Sequence, residues 1–218
     1  IAILAVVSLH TQPFSTTNFF GKIDVFLSVI FNQGARFAVP FFFITSGYFL
    51  GKKLERNKKQ WNTVIISSVL RLLEIWFFWN IVYIFSTVTN DSINSIGLIK
   101  TIYWRISTYI FDSTLEKLFL EGARSSLWFL ISLILAISII GLFYRAKTKK
   151  GLFGLSIFLY IFGLLASSYS QTNFGIELSF NTRNGPFFST IFVVTGYLMA
   201  FSPNHLKLIR LNHSLYLV

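Results

Sequence analysis

Long apolar runs alternate along the chain with short stretches in which polar and basic side chains collect. A helix needs about 20 apolar residues to cross the hydrocarbon of a bilayer, within a range of about 17–25. On that measure residues 61–89, 126–144, 151–168 and 186–201 predict crossing helices, and residues 1–10 predict a partial one. Residues 23–50 form a longer run, interrupted by Gly34-Ala35-Arg36 and by Pro40. Proline breaks a helix interior, so this run predicts a peripheral stretch at 23–33 and a crossing at about 35–51. Residues 97–111 mix aromatic and basic groups, which suits a helix lying in the interface rather than crossing it. The expected fold is all-α, a polytopic transmembrane helical bundle with about six spans visible, the first of them partial. Residue 1 is Ile rather than Met, and residues 214–218 read as the start of a further span. Residues 1–218 are therefore expected to be a single integral-membrane domain, incomplete at both ends.

Composition strengthens this picture. Hydrophobic residues make up 54% of the 218 positions and charged residues 12%, about half the charge of an ordinary soluble domain. The chain has no cysteine, which removes disulfide frameworks, Cys-based zinc sites and Cys nucleophiles. The net charge of +11 lies between the apolar runs rather than along a polar face. Loops 51–60, 145–150 and 202–213 carry eleven Lys and Arg against one acid, Glu55. Loops 11–24, 90–125 and 169–185 carry six basic residues and six acids. Basic loops thus alternate with neutral ones, as the positive-inside rule requires. The expected location is a cell membrane crossed several times, with the basic loops cytoplasmic and His10 near the outer face. The charge is accounted for by topology, so the lipid bilayer is the expected partner and nucleic acid is not.

Ionisable groups inside spans cost at least a few kcal/mol each and are the first places to look for chemistry. His10 ends the first apolar run. A neutral imidazole can take a proton from a hydroxyl and later return it; the plainer alternative is an interfacial histidine that caps a helix. Arg36 stays protonated, so it must pair, meet a ligand or snorkel to water. Ser46-Gly47 within the same run suits close helix packing. Arg71 and Glu74 are three apart and can neutralise each other on one helix face; alternatively Arg71 binds an anionic ligand arriving from inside. Trp128 starts a span at the outer interface, where an aromatic belt is the plain account. Arg183-Asn184-Gly185-Pro186 marks an outer helix start at which a polar ligand can be held. No Walker A loop, dinucleotide fingerprint, His-Glu-x-x-His or Gly-x-Ser-x-Gly pattern is present.

Three stretches together resemble the membrane acyltransferase-3 family, which O-acylates surface polysaccharides and related envelope glycans. Residues 5–11, Ala-Val-Val-Ser-Leu-His-Thr, look like the end of that family's first helix with its essential histidine. Residues 36–50 are close to its Phe-Phe-x-x-Ser-Gly-Tyr/Phe signature, here Phe42-Phe43-Ile44-Thr45-Ser46-Gly47-Tyr48. Residues 127–130 and 183–188, followed by Gly196-Tyr197, resemble later family positions more loosely. Family members have about ten spans, and their first helix carries an Arg eleven residues before the histidine, a position that falls ahead of Ile1.

The resemblance implies transfer of an acyl group, acetyl above all, from cytoplasmic acyl-CoA to a hydroxyl of a cell-envelope glycan. The donor is a substrate, and no permanently bound cofactor or metal is implied. His10 would be the general base or a transient acyl carrier. Arg71 would meet the anionic CoA, and Arg36 would act beside His10. Arg183, Asn184 and Trp128 would contact the acceptor or the developing oxyanion. Two other readings stand beside this one: a transporter or flippase of an envelope lipid or sugar, and the membrane module of a larger fused receptor or racemase-like protein.

Overall fold

Apolar runs become helices throughout the computed structural model, which describes residues 2–11, 22–86, 97–107, 120, 125–178, 181–182 and 184–201. Helix α1 spans Ala2–Thr11, α2 Lys22–Ala35, α3 Ala38–Arg56 and α4 Trp61–Ser86. They are followed by α5 (Leu98–Ser107), α6 (Trp128–Ala146), α7 (Lys149–Leu165) and α8 (Pro186–Ala200). Short 3₁₀ turns at Lys58–Gln60 and Ser125–Leu127 lead into α4 and α6. No strand occurs among the described residues, so the all-α expectation holds.

The interruption expected near Arg36 separates α2 from α3. Pro40 falls in the first turn of α3, where its missing amide has no intrahelical acceptor to lose. At its other end α3 closes on Asn57, whose Nδ2 donates to the Lys53 carbonyl at 3.0 Å. Lys53 and Arg56 sit in that last turn, where cations complement the helix dipole.

Two described helices are long and apolar enough to cross a membrane, the segment Lys58–Tyr83 that takes in most of α4, and α6. The others run out of length or into charge. The apolar part of α3 stops at Gly51, before Lys52-Lys53-Leu54-Glu55-Arg56. Helix α7 has 17 residues and opens on two lysines, and the apolar α8 has 15. On length and composition, two of the expected spans are therefore borne out among the described residues, and the figure of about six is not. Phe77 and Phe78 on α4 are 63% and 59% exposed, and a helix that is apolar all round needs an apolar surround.

Helix α8 is the centre of the packing: it lies against α3, α7 and α6, while α4 lies on α6 and α1 on α2 and α3. The α3–α8 interface is the largest among the described helices. Phe43, Leu50, Leu54, Val193, Val194 and Tyr197 bury their side chains there or beside it. Gly47 of α3 and Gly196 of α8 make the closeness possible. A Cβ built on Gly47 collides with the Val193 carbonyl oxygen, and one on Gly196 collides with the Ile44 carbonyl oxygen. Each glycine thus accepts the other helix's backbone, the use of small residues that lets helices approach without side chains between them. Ser46-Gly47 has the packing role expected of it, and Thr195-Gly196-Tyr197 repeats the same pattern on the facing helix.

Candidate functional site

Three helix starts meet at the end of the bundle opposite the 57–60 and 147–148 connections. Trp128 opens α6, and its ring lies 6.1 Å from Phe43 of α3 and 6.4 Å from Phe188 of α8. Phe129 stacks on Phe43 at 4.5 Å and 26°. Tyr160 of α7 reaches Phe188 and Phe192 at 6.4 and 6.0 Å. The result is an aromatic wall whose members come from four helices.

Beside this wall the chain turns into α8. Asn184 is buried, and its amide donates to the Asn181 carbonyl at 3.0 Å. Thr182 is also buried and ties the turn to the end of α7 by donating to the Gly163 carbonyl at 2.8 Å. Gly185 has φ +78° and ψ −152°, a region essentially restricted to glycine. Pro186 follows at the first helical position, with φ already suited to a helix. Gly185→Ala is expected to cost about 1–3 kcal/mol from backbone strain alone. Its new Cβ would also touch Leu120 Cδ2 at 3.4 Å. A thermal-melt comparison in detergent checks this, and an unchanged midpoint would show that the turn relaxes freely. One turn into α8, Ser189 Oγ is shared between the Ser132 and Gly185 carbonyls at 3.0 and 3.1 Å. The Ser132 hydroxyl itself is buried with no hydrogen-bond partner among the described residues.

The predicted site residues divide among three places. Trp128 and Asn184 belong to this aromatic end. Arg36 lies at the α2–α3 break, at the same end of α3 and about two turns beyond Phe43. It is exposed, and its Nε donates to Asn32 Oδ1 at 3.3 Å. His10 is the penultimate residue of α1, and its side chain lies outside the described part of the structure. Arg183 also lies outside the described residues. Arg71 stands apart, ten residues along α4 from Trp61, a rise of about 15 Å. Arg71 and Glu74 are both exposed and make no ion pair; the pair found among the described residues is Lys52–Glu55 at 3.0 Å. Mutual neutralisation therefore does not account for Arg71.

A second feature emerges only from the folded chain. Connections 57–60 and 147–148 lie together and, with Tyr197, line a cavity of about 550 Å³. Its signal in the sequence is the aromatic residue flanking each basic loop, Trp61 after the first and Tyr144 before the second.

Comparison with known proteins assigns the chain. An amino-acid racemase from Enterococcus faecalis is 30% identical over 218 residues, covering 95% of this chain and 28% of that protein. A second amino-acid racemase from the same organism is 28% identical over 202 residues, covering 88% of this chain and 26% of its own length. The chain thus spans about a quarter of the length of these curated relatives. No solved structure matches it. The acyltransferase-3 family, described as an acyltransferase domain, matches residues 1–217. The chain, with its Phe-Phe-x-x-Ser-Gly-Tyr helix and the glycine crossing that this signature builds, belongs to that family.

Proposed function

We propose that the chain is the membrane part of an O-acyltransferase that moves an acyl group, acetyl above all, from cytoplasmic acyl-CoA to a hydroxyl of a cell-envelope glycan. The observation that carries this reading is the family match over residues 1–217. About six helices lie in the membrane, the basic loops face the cytoplasm, and His10 lies near the outer face. The His10 imidazole takes the acceptor hydroxyl proton as the oxygen attacks the thioester carbonyl. The resulting oxyanion and the acceptor are held by Arg36, Arg183, Asn184 and Trp128. Collapse of the tetrahedral intermediate breaks the C–S bond, and the imidazolium returns its proton to the departing thiolate. Arg71 meets the anionic donor within the bundle.

The test is transfer of label from radiolabelled acetyl-CoA in membranes containing the full-length protein. Label is expected to reach an envelope glycan. If none moves with any short acyl-CoA across a range of host glycans, the reading is wrong.

A second reading draws on the two racemases, of which this chain matches about a quarter. Here the chain is the membrane module of a larger amino-acid racemase-like protein. Full-length protein that interconverts amino-acid enantiomers and transfers no label favours this one.

A further inference from the structure

Arg71 and Glu74 straddle the midpoint of α4, in a segment long and apolar enough to cross a membrane. Both are exposed, and neither makes an ion pair among the described residues. Charged side chains at that depth are costly; they pair with one another or face a protected interior. Helix α4 gives these two neither, because it lies mainly on α6 and leaves most of its surface bare.

The two charges belong to a longer stripe. Ser67, Arg71, Glu74, Phe78, Ile81 and Phe85 are all exposed, at spacings that alternate between four and three. At about 100° per residue, these positions fall within about 80° of the helix circumference. That is the heptad spacing at which two helices pack side by side with a slight left-handed crossing. Phe78, Ile81 and Phe85 supply apolar contact along one half of the stripe. Ser67, in the other half, is small enough to let a second helix come close.

We propose that this stripe is the interface between two copies of the chain. Copies of one sequence insert with the same loops on the same side, so their α4 helices run parallel about a twofold axis along the membrane normal. Such an interface is isologous: each patch meets its own likeness, and every contact occurs twice. Arg71 of one copy faces the partner's Glu74, and symmetry repeats the pair. The step between the two positions is about 4.5 Å along the axis, which an extended arginine side chain spans. All four charges are neutralised without any other sequence, because α4 carries both halves of the pair. An apolar helix of another protein would cover the phenylalanines and leave Arg71 and Glu74 unpaired. The inference goes beyond the acyl-transfer reading and does not rest on it. A bidentate pair uses two of the five guanidinium N–H groups, and three remain to meet an anionic donor.

Disulfide cross-linking of full-length protein in native membranes is the test, each cysteine variant being compared with its parent under mild oxidation. Ser67→Cys and Phe85→Cys lie on the stripe and are expected to give covalent dimers. Ile66→Cys is exposed as well but lies about 100° round the helix from Ser67, and it is expected to give none. No cross-link at the two stripe positions, or equal yield at all three, overturns the proposal. A further segment of the full-length chain lying over this face would give the first of those results. The charge pair is tested in the Ser67→Cys background. Arg71→Glu and Glu74→Arg are each expected to lower the cross-linked fraction roughly tenfold or more, two interhelical pairs being lost at once. Co-expressed with different tags, the two reversals are expected to restore a mixed dimer, since each then supplies the charge the other lacks. Cross-linking that neither reversal lowers, or that co-expression fails to restore, removes the pair. The cysteine variants alone leave both charges in place, so they decide the interface even where a reversed charge blocks insertion. A cross-linked dimer that transfers no acyl group leaves the interface standing and removes only the acyl-transfer reading.

Discussion

His10→Ala lowers acyl transfer by about a thousandfold, within the range of about 10²–10⁴ that a positioned general base contributes, and leaves membrane insertion unchanged. A sugar hydroxyl is a poor nucleophile at neutral pH, and proton removal as it attacks is what an imidazole supplies there. The variant should not disturb the helix. Alanine has the highest helix propensity, and the final turn of α1 is supported separately by Thr11 Oγ1 donating to the Val7 carbonyl at 3.0 Å. His10→Gln sharpens the test, because glutamine still hydrogen-bonds but cannot take up a proton at neutral pH. Both variants are compared with wild type by label transfer at matched protein level. Full activity in either would remove His10 from the proton-transfer role.

Gly47→Leu is expected to prevent the α3–α8 crossing from forming, and with it the folded bundle, so that little folded protein is recovered from membranes. Overpacking typically costs about 1–3 kcal/mol and occasionally more when a neighbouring side chain can adjust. At Gly47 the obstruction is the Val193 carbonyl oxygen, with the Tyr197 amide nitrogen at 3.0 Å. Backbone cannot change rotamer, so the helices must separate and uncover Phe43, Val193 and Tyr197. A milder pair makes the effect measurable. Gly47→Ala and Gly196→Ala each demand the same separation, so the double variant should lose less stability than the sum of the two single variants. Thermal midpoints in one detergent provide the comparison. Additive losses would show two independent contacts rather than one shared crossing, and an unchanged midpoint for Gly47→Ala would show that the helices have slack.

Much of the helix layout is legible in the sequence because hydropathy and breakers act locally. Pro40 and Gly34-Ala35-Arg36 announce the α2–α3 break, and Gly185-Pro186 announces the start of α8. Features depending on what faces what are less legible. Arg71 and Glu74 have helical spacing for a pair, yet spacing brings only their Cα atoms to one face and leaves both long side chains free to diverge. Ser46-Gly47 declares close packing without declaring its partner, since Gly196 is remote in sequence. The basic loops fix an expected orientation, and that sufficient explanation of their charge hides the cavity they line. Span number is legible only in part, because a helix and its apolar run do not share their ends: α3 continues through Lys52-Lys53-Leu54-Glu55-Arg56 past its apolar part, and α7 opens on Lys149-Lys150.

The glycine crossing also bears on how the protein is made. Gly47 and Gly196 stand 149 positions apart, and translation adds about 5–20 residues per second. For roughly 7–30 s, on that rate, α3 has left the ribosome while the helix that fills its groove does not yet exist. During that interval the bare backbone at Gly47 is open to lipid, to the insertion machinery or to a wrong helix. Assembly of the bundle therefore waits on a late segment, and conditions that slow elongation between α4 and α8 lengthen the period in which α3 can mispair.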